Sequence, residues 1–218
     1  MIQAVIFDMD GLMIDSERVT YECYKVYLNS LGLDMTEDFY KTLLGQTINV
    51  CRDKFLRQYG KDFPYDECIK RVHEMVDGRF RAEGVPLKNG LLELLKYLKK
   101  NKFKTIVATS SERKRVDVIL KRGKIWEYFD DSICGDEVEN GKPDPEVFLK
   151  ACRKLKISTE EAIVIEDSEA GIQAAYDGKI KVICVPDMKY PADNYVGMTT
   201  RICKDLVEVK KYIEQCCQ

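Results

Sequence analysis

The sequence predicts an α/β fold: a doubly wound parallel sheet carrying one inserted four-helix domain. Three observations predict it. Short, β-branched apolar blocks alternate with amphipathic helical stretches along most of the chain. Each of the main blocks is followed by acids, hydroxyl residues or glycine rather than by a tight hairpin turn. The alternation stops once, from Asp15 to Pro86, where only helical patterns occur. The 218 residues suffice for one domain and a smaller insert, at roughly 100–200 residues per domain.

The elements follow in order. Ile2–Phe7 reads as a buried strand, bounded by acids and Gly11. Helical patterns then cover residues 17–31, 36–43, 47–59 and 65–82. Four helices are too much chain for an ordinary crossover, so they are expected to form their own core. The domain boundaries follow: 1–14 and 87–218 for the α/β part, 15–86 for the helical part, with Gly84 and Pro86 suited to a hinge. The stripe Leu91, Leu92, Leu94, Leu95, Leu98 leads into a second strand, Lys104–Ala108. Ser132–Cys134 is a short third. Asp144 before Pro145 opens a helix on which Val147, Phe148, Ala151, Cys152 and Leu155 recur. Ser158 and Glu161 form a capping box ahead of the fourth strand, Ala162–Ile165. Lys181–Val185 and Arg201–Cys203 complete the set. Trp126 is expected in the core, and Ser111 with Glu112 at a helix cap.

Composition excludes several classes. Thirty-five basic against 37 acidic residues give a net charge of −2, without the basic excess of a nucleic-acid-binding domain. The run Arg113, Lys114, Arg115 reads as a solvated helix face. No apolar run approaches the ~20 residues of a membrane span. The N-terminus reaches Asp8 too soon for a signal peptide. Nine cysteines without CxxC pairs, and His73 as the one histidine, argue for free thiols in a reducing cytoplasm and against zinc. A monomer or weak homodimer is expected.

In doubly wound sheets, ligands bind beyond the carboxyl ends of the strands. The first strand is followed by Asp8-Met9-Asp10-Gly11, the second by Thr109-Ser110-Ser111, the third by Gly141-Lys142-Pro143, the fourth by Glu166-Asp167-Ser168. Two carboxylates 4 Å apart repel by about 4 kcal/mol at an effective dielectric near 20, so four of them call for a cation. Oxygen donors throughout suit Mg²⁺, and a phosphate dianion could then approach. That charge balance points to phosphoryl transfer on a small phosphorylated metabolite, with neither nucleic acid nor membrane as partner.

These four motifs, in this order and spacing, resemble those of the haloacid dehalogenase-like (HAD) phosphohydrolases, whose core is Rossmann-like. The helical insert resembles that family's four-helix cap. The resemblance covers essentially the whole chain. It implies a Mg²⁺-dependent phosphohydrolase in which Asp8 is the nucleophile and forms an aspartyl-phosphate. Asp10 would act as general acid and base, while Lys142 holds the nucleophile and phosphoryl oxygens. Thr109 and Ser110 would bind the phosphoryl group. Asp8, Asp10 through its backbone carbonyl, Glu166 and Asp167 would hold the metal. Asp10 favours a phosphate substrate, since dehalogenating relatives lack it. Gln46, Thr47 and Thr20, and with them Tyr24, Asn49 and Arg52, would set specificity from the cap.

Two other readings stand beside this one. β-Phosphoglucomutases share the opening motif, but place a histidine near Thr20 and an arginine near Ile48; neither is present, though Arg52 lies one turn on. Phosphoacceptor receiver domains use similar acids, but carry the acceptor after the third strand, where no acid immediately follows here.

Overall fold

The computed structural model describes residues 1–216. The chain divides into two compact units: Met1–Asp15 together with the chain from Val85 onward, and Ser16–Gly84. The larger unit is built on six parallel strands: β1 (Ala4–Phe7), β2 (Lys104–Ala108), β3 (Asp131–Ile133), β4 (Ala162–Glu166), β5 (Lys181–Cys184) and β6 (Arg201–Ile202). Their spatial order is β3-β2-β1-β4-β5-β6, so the winding direction reverses between β1 and β4. Each strand falls within two residues of its expected span.

Alternation of side chains makes this sheet a two-sided core. Ala4 and Ile6, Ile106 and Ala108, Ala162 and Val164, and Val182 and Cys184 share one buried face. Against it pack Val147, Phe148, Ala151 and Cys152 of α7 (Glu146–Leu155) and Ile172, Ala174 and Ala175 of α8 (Glu169–Asp177). The alternate residues Val5, Phe7, Val107, Ile163 and Ile165 are equally buried on the other face. Helix α5 (Leu91–Lys100), which buries Leu91, Leu94, Leu95 and Leu98, contacts β2 and pairs with α10 (Leu206–Cys216). Helices α6 (Arg113–Arg122) and α9 (Asp193–Val196) complete the unit.

Caps explain several of these boundaries. The Ser158/Glu161 capping box forms; ahead of α7 the cap position falls to Pro145, one residue later than expected, and Asp144 Oδ1 accepts from Glu146 N at 2.9 Å. The expectations for Ser111 and Trp126 fail. Helix α6 starts at Arg113, with Glu112 in the cap position but no side-chain cap bond; the Arg113 N–H goes to Asp136 Oδ1 at 3.0 Å instead. Trp126 lies on a short 3₁₀ turn that leaves it 54% exposed. Its neighbours do the packing: Ile125 is fully buried, and Phe129 meets Phe7 edge to face at 5.6 Å.

Where the chain leaves the larger unit and returns to it, the two segments pair. Asp15 N donates to Pro86 O and Lys88 N to Met13 O, both at 2.9 Å, around an antiparallel bridge between Ile14 and Leu87. Lys88 Nζ then reaches Asp15 Oδ1 at 3.0 Å and also the Asp187 carboxylate.

The smaller unit is four helices: α1 (Ser16–Ser30), α2 (Glu37–Leu43), α3 (Ile48–Tyr59) and α4 (Tyr65–Ala82), each within one residue of expectation. Its core is aromatic. Phe55 is fully buried, with the rings of Tyr24, Phe39, Tyr59, Phe63 and Tyr65 all within 5.7 Å of its own. Thr36 and Thr47 cap α2 and α3.

Among the described residues, no helix is long and apolar enough to cross a membrane. All eight described cysteines are free and six are buried; Cys217 lies outside the described residues. Burial pushes the thiols of Cys68, Cys134 and Cys184 up to about 12 and that of Cys152 to about 11. Only the thiolate is reactive, so these groups are doubly protected. Iodoacetamide at about pH 8 should therefore modify exposed Cys216 in the native protein and spare these four until denaturant is added. Peptide mass spectrometry reads the result; native labelling of Cys184 as fast as that of Cys216 would contradict the buried placement of β5.

Candidate active site

The site forms where β1 and β4 run side by side. Asp8 extends β1 by one residue, its N–H donating to Ile165 O at 3.0 Å. Glu166 is the last residue of β4. Adjacent parallel strands thus present two carboxylates at the sheet's carboxyl edge, at the point where the winding reverses. Both are buried.

Lys142 joins them. Its Nζ donates to Asp8 Oδ1 at 2.5 Å and to Glu166 Oε1 at 2.7 Å, with only 6% of the side chain exposed. The same ammonium lies 4.8 Å from the centre of the Phe148 ring. Burial lifts the Asp8 carboxyl up to about 8; Lys142 opposes that, while Glu166 and Asp10 add to it. Burial works against the charge on Lys142, but the two carboxylates more than offset it and hold the ammonium.

Glu166 is gripped at its second oxygen too. Oε2 accepts from Asp167 N and Ser168 N at 2.7 Å and from Ser168 Oγ at 2.9 Å. Ser168 Oγ in turn accepts from Gly171 N at 3.1 Å, capping α8. Glycine at 171 is a packing necessity: a Cβ there would stand 1.8 Å from Glu166 Oε1. Gly11 is alike. Its φ of +83° suits glycine, and a Cβ would stand 2.2 Å from Asp167 Oδ2. The space beside Gly11 is occupied by the Asp167 carboxylate.

Oxygens of Asp8, Glu166 and Asp167 lie within 4.8 Å of one another. Three hard oxygen donors around one point, one of them with its proton affinity raised by burial and, to a lesser degree, by neighbouring carboxylates, fit Mg²⁺. The Asp10 carboxylate is not in this set. It turns to the second strand's loop and to α6, where Ser111 Oγ donates to Oδ2 at 2.7 Å and Arg115 donates to Oδ1 at 2.8 Å. Arg115 is therefore a site residue that the sequence reading assigned to a solvated face. Arg113 is also engaged, with Ser132 and Glu137, whereas Lys114 is exposed. Asp8, Asp10, Glu166 and Asp167 thus gather at one edge with the cations of Lys142 and Arg115 among them.

Thr109 is buried, and its Oγ1 accepts from Ser111 N at 3.1 Å, shaping the turn. Ser110 is exposed beside it. Thr20, Gln46 and Thr47 belong to the helical unit. Thr20 is half-buried, Gln46 and Thr47 are exposed, and Thr47 Oγ1 faces Val50 N at 3.5 Å. Two further cap candidates have structural duties. Tyr24 is buried between the Tyr40 and Phe55 rings. Arg52 pairs through both terminal nitrogens with Asp66 and lies 4.8 Å from the Tyr65 ring.

The fold and the acid edge define an enzyme of the phosphatase type. Residues 5–185 match the family described as haloacid dehalogenase-like hydrolase, and the chain belongs to that family. Its relatives include the phosphorylated carbohydrates phosphatase of Thermotoga maritima, 33% identical over 182 residues and 84% of each chain. CbbY of Rhodobacter sphaeroides, solved in complex with phosphate, is 25% identical with a TM-score of 0.77 over 96% of each chain. A Thermotoga maritima structure with a provisional β-phosphoglucomutase assignment is 29% identical, with a TM-score of 0.82 over 99% of this chain and 100% of that one.

The Gly171 contact makes a direct prediction. Gly171→Ala should force Glu166 off Lys142 and lower kcat on p-nitrophenyl phosphate by on the order of 10²-fold, the usual cost of an ångström of misplacement. Unchanged turnover would mean that Glu166 is not held as described.

Proposed function

We propose that this protein is a Mg²⁺-dependent phosphatase acting on a small phosphorylated carbohydrate or similar metabolite through an aspartyl-phosphate on Asp8. The observation that carries the reading is the buried Asp8–Lys142–Glu166 bridge with Asp167 beside it, at the switch point of the sheet. The relative from Thermotoga maritima named for phosphorylated carbohydrates supports the substrate class.

Asp8, Glu166 and Asp167, with the Asp10 carbonyl, would hold Mg²⁺. Bound there, the ion neutralises phosphoryl oxygens and orients them for in-line attack. The remaining chemistry belongs to the chain. Asp8 attacks phosphorus, and the bond to the leaving oxygen breaks as that oxygen takes the proton of Asp10. Asp10, now a carboxylate, takes a proton from an incoming water. The water oxygen bonds to phosphorus, the acyl-phosphate bond breaks, and Asp8 and inorganic phosphate are released. Lys142 fixes the orientation of Asp8 and meets the charge on the phosphoryl group. Thr109 and Ser110 lie at the end of the neighbouring strand, where hydroxyl and backbone donors suit the non-bridging oxygens. Thr20, Gln46 and Thr47, on the helical unit, are the residues we propose to set substrate specificity.

A phosphomutase is the second reading, favoured by the likeness to the structure of provisional β-phosphoglucomutase assignment. It needs a cation in the cap for a second phosphate, and Arg52 is committed to Asp66. A glucose bisphosphate primer with β-glucose 1-phosphate decides between them: accumulation of the 6-phosphate would establish the mutase.

Asp8→Asn should abolish phosphate release with the fold intact by circular dichroism; sustained turnover would remove Asp8 from the nucleophile's role. EDTA should stop hydrolysis across a panel of sugar phosphates and Mg²⁺ should restore it. Indifference to chelation would refute the metal assignment.

A further inference from the structure

We infer that Arg115 is a positioning residue that reserves the Asp10 carboxyl for proton transfer by holding it out of the metal's coordination set. The inference deepens the phosphatase reading and rests on it. Asp10 lies two residues from Asp8 and carries the same type of ligand atom. A divalent cation among Asp8, Glu166 and Asp167 attracts every carboxylate in reach. A carboxylate bound to a cation is a poor proton carrier, because the lone pair that would take the proton is engaged. Something must therefore keep the second aspartate of the motif apart from the first.

The structure contains that device. The two Asp10 oxygens are held separately, Oδ2 by Ser111 Oγ at 2.7 Å and Oδ1 by an Arg115 terminal nitrogen at 2.8 Å. Ser111 lies in the loop just before α6 and Arg115 in its first turn, so both contacts come from the same segment of chain. The Arg115 side chain is one-third exposed and that of Asp10 one-quarter, so the pair lies at the rim of the site rather than in its buried floor. Such a half-exposed pair contributes little to stability. Its value lies in direction, since a guanidinium fixes where a carboxylate points. Lys142 holds Asp8 and Glu166 as Arg115 holds Asp10, each cation drawn from a different segment of the chain.

Leaving groups of different basicity test this. Phenyl phosphate and p-nitrophenyl phosphate are nearly the same shape, but phenoxide is far more basic and depends more on a donated proton. kcat/KM reports the steps through departure of the leaving group. Arg115→Met should lower kcat/KM for phenyl phosphate by about tenfold or more and for p-nitrophenyl phosphate by less than about threefold. Arg115→Lys, keeping the charge, should recover most of the loss. A second readout needs no turnover. By calorimetric titration with Mg²⁺ alone, Arg115→Met should bind the ion more tightly, as Asp10 joins its ligands, and the gain should vanish in the Asp10→Asn background. Equal losses on the two esters, no loss on either, or a gain in Mg²⁺ affinity that persists in the Asp10→Asn background overturns the inference. If the unmodified enzyme hydrolyses neither ester, the phosphatase reading has failed and takes this inference with it.

Discussion

The Lys142 ammonium, set between Asp8 and Glu166, is the interaction on which the site depends. Two buried carboxylates on neighbouring strands would repel if left alone, and a buried charge without a partner costs several kcal/mol. One cation from a third segment of the chain resolves both problems. The solution dictates what surrounds it. Phe148 covers the ammonium, the Asp167 and Ser168 amides satisfy the far side of Glu166, and glycine at 171 leaves room for its near side. The chemistry of the edge is therefore written into the packing of α7 and α8.

A buried salt bridge of this kind is weak evidence for stability, since apolar residues of similar size often do as well. Its maintenance in the middle of an otherwise apolar sheet makes sense as function. The acid edge is prepared for charge that arrives from outside. Asp8 sits with its proton affinity raised by burial, so a cation arriving beside it would favour its ionised form. The sheet supplies stiffness, because Ile6 and Phe7 and their partners in β2 and β4 are buried on both faces. Rigid strand ends hold Asp8 and Glu166 in place without help from loop ordering.

Most of the architecture was legible from local pattern. Strand ends could be found by apolar runs stopping at acids, and the helical insert by the absence of any such run between Asp15 and Pro86. Asp8 and Glu166 were legible because they stand at strand ends, which topology brings together, and Lys142 because it lies in the connection that leaves the third strand. Arg115 was not. Its partner lies 105 residues away, and a run of three basic residues on a helix looks the same whether the middle or the last one turns inward. Trp126 failed for the converse reason: its size and apolarity argue for burial, but the 3₁₀ turn gives the inward positions to Ile125 and Phe129. Ser111 looked like a cap because serine before a helix usually is one; the acceptor that claims it, Asp10, is again distant in sequence.

The loop that carries Asp10 has a second duty. Gly11 N donates to Ile14 O, and Asp10 and Ile14 form a parallel bridge. Ile14 in turn bridges to Leu87 on the returning segment, and Asp15 and Lys88 close the pair on either side. Asp10, the point where the chain leaves the α/β unit and the point where it returns are thus one hydrogen-bonded ribbon. Both crossings lie on backbone only a few residues from Asp10 or bonded to its loop. Its side chain is anchored instead to Ser111 and Arg115, on a different element. Backbone tied to the crossings and carboxylate tied to α6 give Asp10 two independent constraints. The proton-transfer role proposed for Asp10 would require its carboxyl in one place through both steps, and an anchor on α6, apart from the paired crossing segments, is suited to that.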